Sequence, residues 1–316
     1  HSCPPRRSSD LGSTGSRHDL RLGLPAVVGA VAAWGVTGVI IKSIDMDPLS
    51  IAAWRFLAYA ALLTVWMRAR GGRLTISLLR TAMPGGLFLA ADVMLFFTAV
   101  QLTNIVNATT IGALQPIVIA AFATRVLGEQ IAPREYGAAV VAIVGVVVIV
   151  TQSSGSPEWS GLGDLAAVGA LLAWSGYFIV AKRTAGRLSP LEFTVGAGWW
   201  VAALSFPIGL AFGEDMSPPP GSEFAALALL LLVGGFFGHS LMNVGIPRLP
   251  LWLSSTLTLL IPVCASLAAW VFLDEALTVW QLSAMAVVLI ALAVVVTAQS
   301  RPVPVLPPQA PIDPAL

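Results

Sequence analysis

The chain has 316 residues, of which 57% are of hydrophobic type and 10% are charged, whereas a soluble domain carries about a quarter charged residues. This composition excludes most soluble enzymes. The net charge of +1 at pH 7 gives no basic field for nucleic acid, and the two cysteines provide neither a zinc-ligand cluster nor a disulfide framework.

Ten apolar segments follow one another along the chain. Each can cross a bilayer core of about 30 Å, which takes roughly 20 residues of helix. The first five are predicted at residues 24–41, 49–66, 83–101, 104–125 and 135–151. After a turn-rich stretch, five more are predicted at residues 164–181, 191–212, 224–246, 250–273 and 278–298. Polar residues 1–21 and proline-rich residues 299–316 are predicted to be tails, the first of them disordered. We therefore expect an all-α integral membrane protein with ten transmembrane helices.

The positions of the basic residues test this helix count, because Lys and Arg collect in cytoplasmic loops. If the N-terminus lies inside, Lys42 is the one basic residue in an external segment, and Arg55 lies within a helix. All the others of the 17 Lys and Arg residues then fall in cytoplasmic segments. This asymmetry predicts ten spans in the cell membrane with both termini in the cytoplasm.

An internal repeat divides the ten helices into two sets of five. A shift that superposes Pro116 on Pro262 also superposes Glu129 on Glu275, in and after the fourth and ninth helices. The first and sixth helices share a further pattern, a tryptophan followed by a lysine at the helix end: Trp34 and Lys42, Trp174 and Lys182.

The two copies are predicted to cover residues 22–151 and 160–298. Because five is an odd number, the second copy enters the membrane from the opposite side, and the repeat is inverted. Inverted repeats place a binding site near the membrane midplane and permit alternating access. The architecture therefore predicts a transporter.

The first two helices carry a pattern that resembles a known family. A Trp-Gly pair in the first helix is followed by a lysine at its end, a proline in the loop and an arginine in the second helix: Trp34, Gly35, Lys42, Pro48 and Arg55. With the proline-to-glutamate segments 116–129 and 262–275, this pattern resembles the EamA domain of the drug/metabolite transporter superfamily. The resemblance implies a carrier, often an exporter of amino acids, metabolites or drugs, and names no substrate.

Two ionisable residues inside spans are the first candidates for a site, because burying such a group costs about 2.5–3.5 kcal/mol on insertion scales. Asp92 lies in the third helix and His239 in the eighth. The repeat shift places Asp92 beside His239, so the two could face each other as a cation-attracting or proton-coupled pair. The alternative is a hydrogen bond that fixes helix packing, or an aspartic acid kept neutral by burial.

Arg55 is a third charged candidate, near the external start of the second helix. Its planar guanidinium suits a carboxylate in the cavity. It could equally reach the membrane surface, or pair with Asp45 or Asp47. Lys42 and Lys182 are interpreted as anchors at the membrane interface.

Aromatic residues inside spans could line an apolar cavity for an aromatic or amphipathic solute. They are Trp34, Trp54, Trp174, Trp199, Trp200, Tyr177, Phe96 and Phe97. Packing in the core or against lipid is the alternative. Gln115 could offer its amide to substrate, while Pro116 and Pro262 are predicted to kink their helices and help gates to bend.

The predicted function is secondary transport of a small organic solute, such as an amino acid, a metabolite or a drug-like compound, with export favoured over import or exchange. An intramembrane enzyme and a scaffold are the alternatives, but the sequence contains no Walker loop and no H-E-x-x-H helix. We expect no catalytic residue, metal, cofactor or nucleic acid. The expected partners are the solute, the bilayer and a proton as candidate coupling ion.

Overall fold

The computed structural model describes residues 9–103, 105–154 and 160–299. Within them, ten helices are long and apolar enough to cross a membrane, which confirms the predicted all-α membrane fold. The continuous ones are α1 (Ser9–Lys42), α2 (Pro48–Ala69), α3 (Ile76–Leu102), α5 (Pro133–Ser154), α6 (Leu162–Thr184), α7 (Pro190–Phe212) and α10 (Val279–Gln299).

The remaining helices are interrupted within the membrane-crossing length. α4 consists of Ile105–Gly112, Gln115–Phe122 and a closing π-helical turn, Ala123–Leu127. α8 consists of Phe224–Leu230, a π-helical stretch, Leu231–Ser240, and Leu241–Gly245. α9 consists of Leu251–Leu257, a 3₁₀ turn, Thr258–Leu260, and Ile261–Leu273.

The structure differs from the sequence prediction at the first and third helices. α1 begins at Ser9, so the predicted disordered tail is helical from there, and residues 1–8 and 300–316 lie outside the described part of the chain. α3 begins at Ile76 rather than at residue 83. Thr75 caps it by accepting a hydrogen bond from the Leu78 backbone N–H at 3.1 Å. Pro84 therefore lies inside α3 instead of near its start.

The interruptions of α4 and α9 come directly before the two prolines that the repeat superposes. Proline lacks an N–H and its ring crowds the carbonyl four residues earlier, so the preceding turn departs from α-helix. The interruptions lie next to each other, because the Thr258 hydroxyl donates to the Gln115 side-chain oxygen at 3.0 Å. Breaks in the helices at Pro116 and Pro262 are thus present, while their part in gating stays a prediction.

The helices pair in a pattern that is unchanged when the two halves are exchanged. α2 packs on α7, α4 on α9 and α5 on α10, while α3 packs on α6 as α8 packs on α1. Equivalent helices meet start to end: Gln299 at the end of α10 donates to Glu135 at the start of α5 at 3.0 Å. Near the middle of α7, Trp199 donates to Thr64 of α2 at 3.0 Å.

A glycine allows α1 and α9 to pack closely. A Cβ atom on Gly35 of α1 would lie 3.0 Å from the backbone nitrogen of Ala265 in α9 and would overlap Cβ of Cys264. Small residues at such crossings let membrane helices approach closely. Gly38, one turn later in α1, faces open space instead.

At one end of the bundle, two charged side chains bind the backbone of the α8–α9 connection and of the first turn of α9. Nζ of Lys182 donates to the carbonyl oxygens of Ile246 and Pro247, both at 3.2 Å, and also to that of Leu249. The Glu129 carboxylate, at the end of α4, accepts from the N–H groups of Leu251 at 2.7 Å and Trp252 at 3.0 Å. Lys182 is therefore more than the interfacial anchor that we expected. The side chain of Lys42 lies outside the described residues.

At the opposite end, acidic side chains bind the first turn of α2. Glu214, after α7, accepts from the N–H groups of Leu49 at 2.8 Å and Ser50 at 3.1 Å through one carboxylate oxygen. Asp47 accepts from the Asp215 N–H at 2.9 Å. These bonds join the α1–α2 connection and the start of α2 to the α7–α8 connection.

At the same end, the carboxylate of Asp164 joins three helices. The Asp164 side chain, in the first turn of α6, accepts from Asn107 of α4 at 2.7 Å and from Thr103 after α3 at 3.0 Å. Its other oxygen accepts from the Ser160 N–H at 3.1 Å. The carboxylate thus joins the start of α6 to the end of α3 and the start of α4.

Replacing Gly35 by Ala tests the close approach of α1 and α9. The added Cβ overlaps Cys264, so we expect a loss of about 1–3 kcal/mol in the free energy of unfolding. Thermal melting of the purified protein in detergent measures it. Gly38→Ala, in the same helix, is the matched control and should melt at or above the wild-type temperature. Equal melting of the two variants would contradict the α1–α9 contact.

Replacing Glu214 by Gln tests the pH dependence of the end that contains α2. Burial raises the pKa of Glu214 above its ordinary 4.5, and nearby Asp47 raises this pKa further, although two N–H donors oppose the shift. The folded state thus favours the protonated acid, and this contribution to stability is lost as the pH rises through the folded-state pKa. Gln keeps an acceptor oxygen and does not titrate.

We therefore expect the Glu214→Gln melting temperature to rise relative to wild type between about pH 4.5 and pH 7.5. Thermal melting in detergent across this range measures the difference. Asp274→Asn, which removes an exposed acidic group at the same end, is the control. A Glu214→Gln difference that stays constant with pH would contradict the prediction.

Candidate functional site

Six rings from four helices meet inside the bundle. We call them the central cluster: Trp34 of α1, Phe56 of α2, Trp174, Tyr177 and Phe178 of α6, and His239 of α8. Trp174 is the hub of the cluster. Its ring centroid lies 5.2 Å from Trp34, 4.9 Å from Phe178 and 5.5 Å from Tyr177, on which it stacks with an angle of 10°. The sequence-predicted residues Trp34, Trp174, Tyr177 and His239 are therefore brought together.

His239 is buried in this cluster, with 7% of its surface exposed. Its ring centroid lies 5.2 Å from Trp34 and 5.4 Å from Phe56. Among the described residues, its buried Nδ1 has no hydrogen-bond partner. An unpaired buried polar atom costs about 1–3 kcal/mol, a cost that a hydrogen bond from a ligand or a water molecule would remove.

The backbone next to His239 is opened by the π-helical stretch of α8. π-helical turns occur frequently at functional sites. Here, Trp34 Nε1 donates to the carbonyl oxygen of Gly234 at 3.2 Å. The indole of Trp34 also fills the space where a Cβ on Gly238 would lie, with its Cδ1 2.7 Å from that position. Glycine is therefore required at 238 for Trp34 to approach α8.

Arg55 brings a positive charge to the edge of the central cluster. Its Cζ lies 4.6 Å from the centroid of the Phe56 ring, and one Nη nitrogen lies against Gly234 of α8. Within the described residues it forms no ion pair. Asp47, one of its two suggested partners, instead accepts from the Asp215 backbone. The half-buried guanidinium thus has an aromatic face on one side and no carboxylate.

A row of polar side chains borders the cluster. The Tyr177 hydroxyl donates to Asn243 Oδ1 at 2.9 Å, and Asn243 Nδ2 donates to Thr194 of α7 at 2.9 Å. The hydroxyls of Tyr59 and Ser240 lie 2.7 Å apart. Our sequence analysis missed Asn243, Tyr59, Ser240 and Thr194. Three polar residues at 239, 240 and 243 of an apolar helix were the available signal.

Asp92 lies outside the central cluster. On the same face of α3, Phe88 packs against Gly176 and Leu95 packs against Gly169, so Asp92 between them lies at the contact with α6. Among the described residues, Asp92 makes no hydrogen bond or ion pair. The predicted pairing with the histidine of the cluster is therefore absent from this conformation.

The other predicted site residues have structural partners away from the cluster. Trp199 bonds to Thr64 in the α2–α7 contact, Trp54 donates to the Ser217 carbonyl at 3.0 Å, and Trp200 donates to that of Leu79 at 2.9 Å. Phe96 is exposed on α3, and the side chain of Phe97 lies outside the described residues.

Gln115 is 1% exposed, and its Nε2 has no partner among the described residues. It lies at the crossing of α4 and α9 through its bond to Thr258. In the part of the chain that the structure describes, no three His, Cys, Asp or Glu side chains are placed to hold a metal ion.

Comparison with known proteins supplies relatives for this fold. An aromatic amino acid exporter, YddG of Ancylobacter novellus, is 27% identical over 249 residues, which are 75% of this chain and 84% of the relative. The threonine/homoserine exporter RhtA of Salmonella typhimurium is 26% identical over 65% of this chain and 67% of its own length. A solved crystal structure superposes with a TM-score of 0.75 at 25% identity, covering 90% of this chain and 99% of its own.

A sequence model of the EamA-like transporter family matches the chain twice, at residues 21–151 and 161–297. Each match contains five of the ten membrane-crossing helices. The two matches together cover most of the chain and agree with the pattern of Trp34, Lys42, Pro48 and Arg55 in the first two helices. This chain therefore belongs to the EamA-like transporter family.

Proposed function

We propose that this protein is a secondary transporter that exports a small organic acid or amino acid from the cell by alternating access. The family and the exporter names of its relatives support the class of function. Transport of this kind needs no bond-making step, so the proposal includes no enzymatic activity. The membrane is the cell membrane, with both termini in the cytoplasm, as the distribution of basic residues favours.

The helix pairing supports alternating access. Equivalent helices of the two halves pack against each other start to end, as a repeat inverted in the membrane requires. In such transporters the halves rock about a site near the midplane. The interruptions before Pro116 and Pro262 lie at one crossing of α4 and α9, and we propose that these helices bend there.

The proposed substrate class rests on the unpaired guanidinium of Arg55. A guanidinium inside a membrane span is costly unless an anion neutralises it, and Arg55 has no acidic partner among the described residues. The central cluster beside it offers stacking surfaces and the unpaired Nδ1 of His239. A solute with a carboxylate for Arg55 and an apolar or aromatic part for Trp34 and Trp174 matches this arrangement. The amino acids named for the relatives have this form.

Counterflow in proteoliposomes tests the role of Arg55. We expect Arg55→Met to slow exchange of radiolabelled amino acids by about 10- to 100-fold, because a hydrogen bond to a charged group contributes about 1.5–3 kcal/mol. The exchange rate of Arg55→Lys should lie between those of the wild type and Arg55→Met, because an ammonium group cannot bind a carboxylate bidentately. Arg73→Gln, an exposed arginine before α3, is the control and should exchange normally.

Exchange of the decarboxylated amine of each amino acid distinguishes a loss of carboxylate binding from a general loss of transport activity. The amine should exchange more slowly than the amino acid, and at the same rate in the wild type and in Arg55→Met. A loss that is the same for the amine and the amino acid would contradict carboxylate binding at Arg55. Absence of any exchange by the wild type, across amino acids, amines and drugs, would contradict transport itself.

We also propose that Asp92 couples export to protons. Among the acidic residues of the described membrane-crossing segments, Asp92 is the one that lies more than one turn from a segment end, and it has no partner among the described residues. Asp92→Asn should abolish acceleration of transport by an imposed pH gradient while leaving counterflow without a gradient intact. Asp19→Asn, at the first residue of the first membrane-crossing segment, is the control. A normal response of Asp92→Asn to the gradient would reject this coupling.

A further inference from the structure

A cleft at one end of the bundle is separate from the central cluster. It has a volume of about 500 Å³ and lies between the first turns of α3 and the connection from α6 to α7. Five lining residues come from α3 and one from the connection: Ile76, Ser77, Arg80, Thr81, Pro84 and Arg187. Gly186, with a φ of +86°, makes the tight turn that directs the chain to Arg187.

The cleft is positively charged and lacks an acid. Arg80 and Arg187 are both exposed, and neither forms an ion pair among the described residues. Two arginines elsewhere in the bundle differ in this respect: Arg70 lies 4.9 Å from the Trp66 ring, and Arg125 donates to its own helix at 3.3 Å. Two guanidinium groups from separate segments, facing one space, suit a phosphate or carboxylate.

The position of the cleft selects a ligand with both a charged and an apolar part. Ile76 is the first residue of a membrane-crossing segment, so the arginines lie near the boundary between membrane and water. Arg80, Pro84 and Leu87 are spaced to share one face of α3, which continues from the cleft into the span. Leu87 is 42% exposed there, and Met83 beside it is 36% exposed.

We propose that this cleft binds the phosphate of an anionic phospholipid, with its acyl chains along α3. Basic pockets between membrane helices bind such head groups. A bound lipid would join the start of α3 to the α6–α7 connection. The proposal is independent of the proposed substrate, because the lipid touches neither Arg55 nor the central cluster.

Thermal melting in a neutral detergent tests this site with defined probes. Phosphatidylglycerol should raise the melting temperature of the full chain, while phosphatidylcholine at the same concentration should not. In the Arg80→Gln/Arg187→Gln variant, about tenfold or more phosphatidylglycerol should be needed for the same rise, because charge-assisted bonds to the phosphate are lost.

Arg73→Gln/Arg183→Gln is the matched control, since it removes two exposed arginines by the same substitution outside the cleft. It should respond to phosphatidylglycerol like the wild type. An equal loss in this control would show a general charge effect and overturn the proposal. Equal protection by inorganic phosphate would overturn the lipid as the ligand and assign the cleft to free phosphate.

If the double variant fails to fold, Arg187→Gln alone replaces it, because its exposed side chain lies in a connection and supports no helix. Native mass spectrometry of this variant should then show fewer bound phosphatidylglycerol molecules than the wild type. An unchanged number of bound lipids would equally overturn the proposal.

Discussion

A helix that crosses a bilayer has no water with which to satisfy a broken backbone hydrogen bond, and this constraint governs where the structure departs from regular helix. In α8, the π-helical stretch directs the Gly234 carbonyl to the Trp34 indole. In α9, the Thr258 hydroxyl lies 2.6 Å from the Ser255 carbonyl and also reaches Gln115. Irregular backbone is therefore found where a side chain binds it, from a neighbouring helix in α8 and from the same helix in α9.

The same constraint explains the roles of the aromatic residues. A tryptophan combines a large apolar ring with one donor, so it can fill an apolar space and satisfy a carbonyl at once. Trp34 does both at α8, and Trp200 does both at α3, where it also covers Gly86. What distinguishes the central cluster from these packing contacts is the charge beside it and the unpaired nitrogen within it.

The ten helices were predictable because apolar length is a local property of sequence, and the family resemblance was predictable from a few spaced residues. The start of α3 was not, because Pro84 is tolerated inside the helix and the cap at Thr75 precedes the apolar run. The pairing of Asp92 with His239 is absent from this conformation for a different reason. The repeat shift aligns positions along the chain, but the contacts of His239 are with α1, α2 and α6. Bonds such as Tyr177 to Asn243 depend on how helices are rotated in the bundle, which hydropathy does not encode.

Lys182 and Glu129 bind main-chain atoms of the α8–α9 connection and of the first turn of α9. Every residue except proline offers the same N–H, and every residue offers the same carbonyl. The side chains of this connection can therefore change in evolution without loss of these bonds, while Lys182 and Glu129 cannot be exchanged so freely. In this chain, a changed sequence in the connecting loop is thus compatible with an unchanged contact between the helices that bind it.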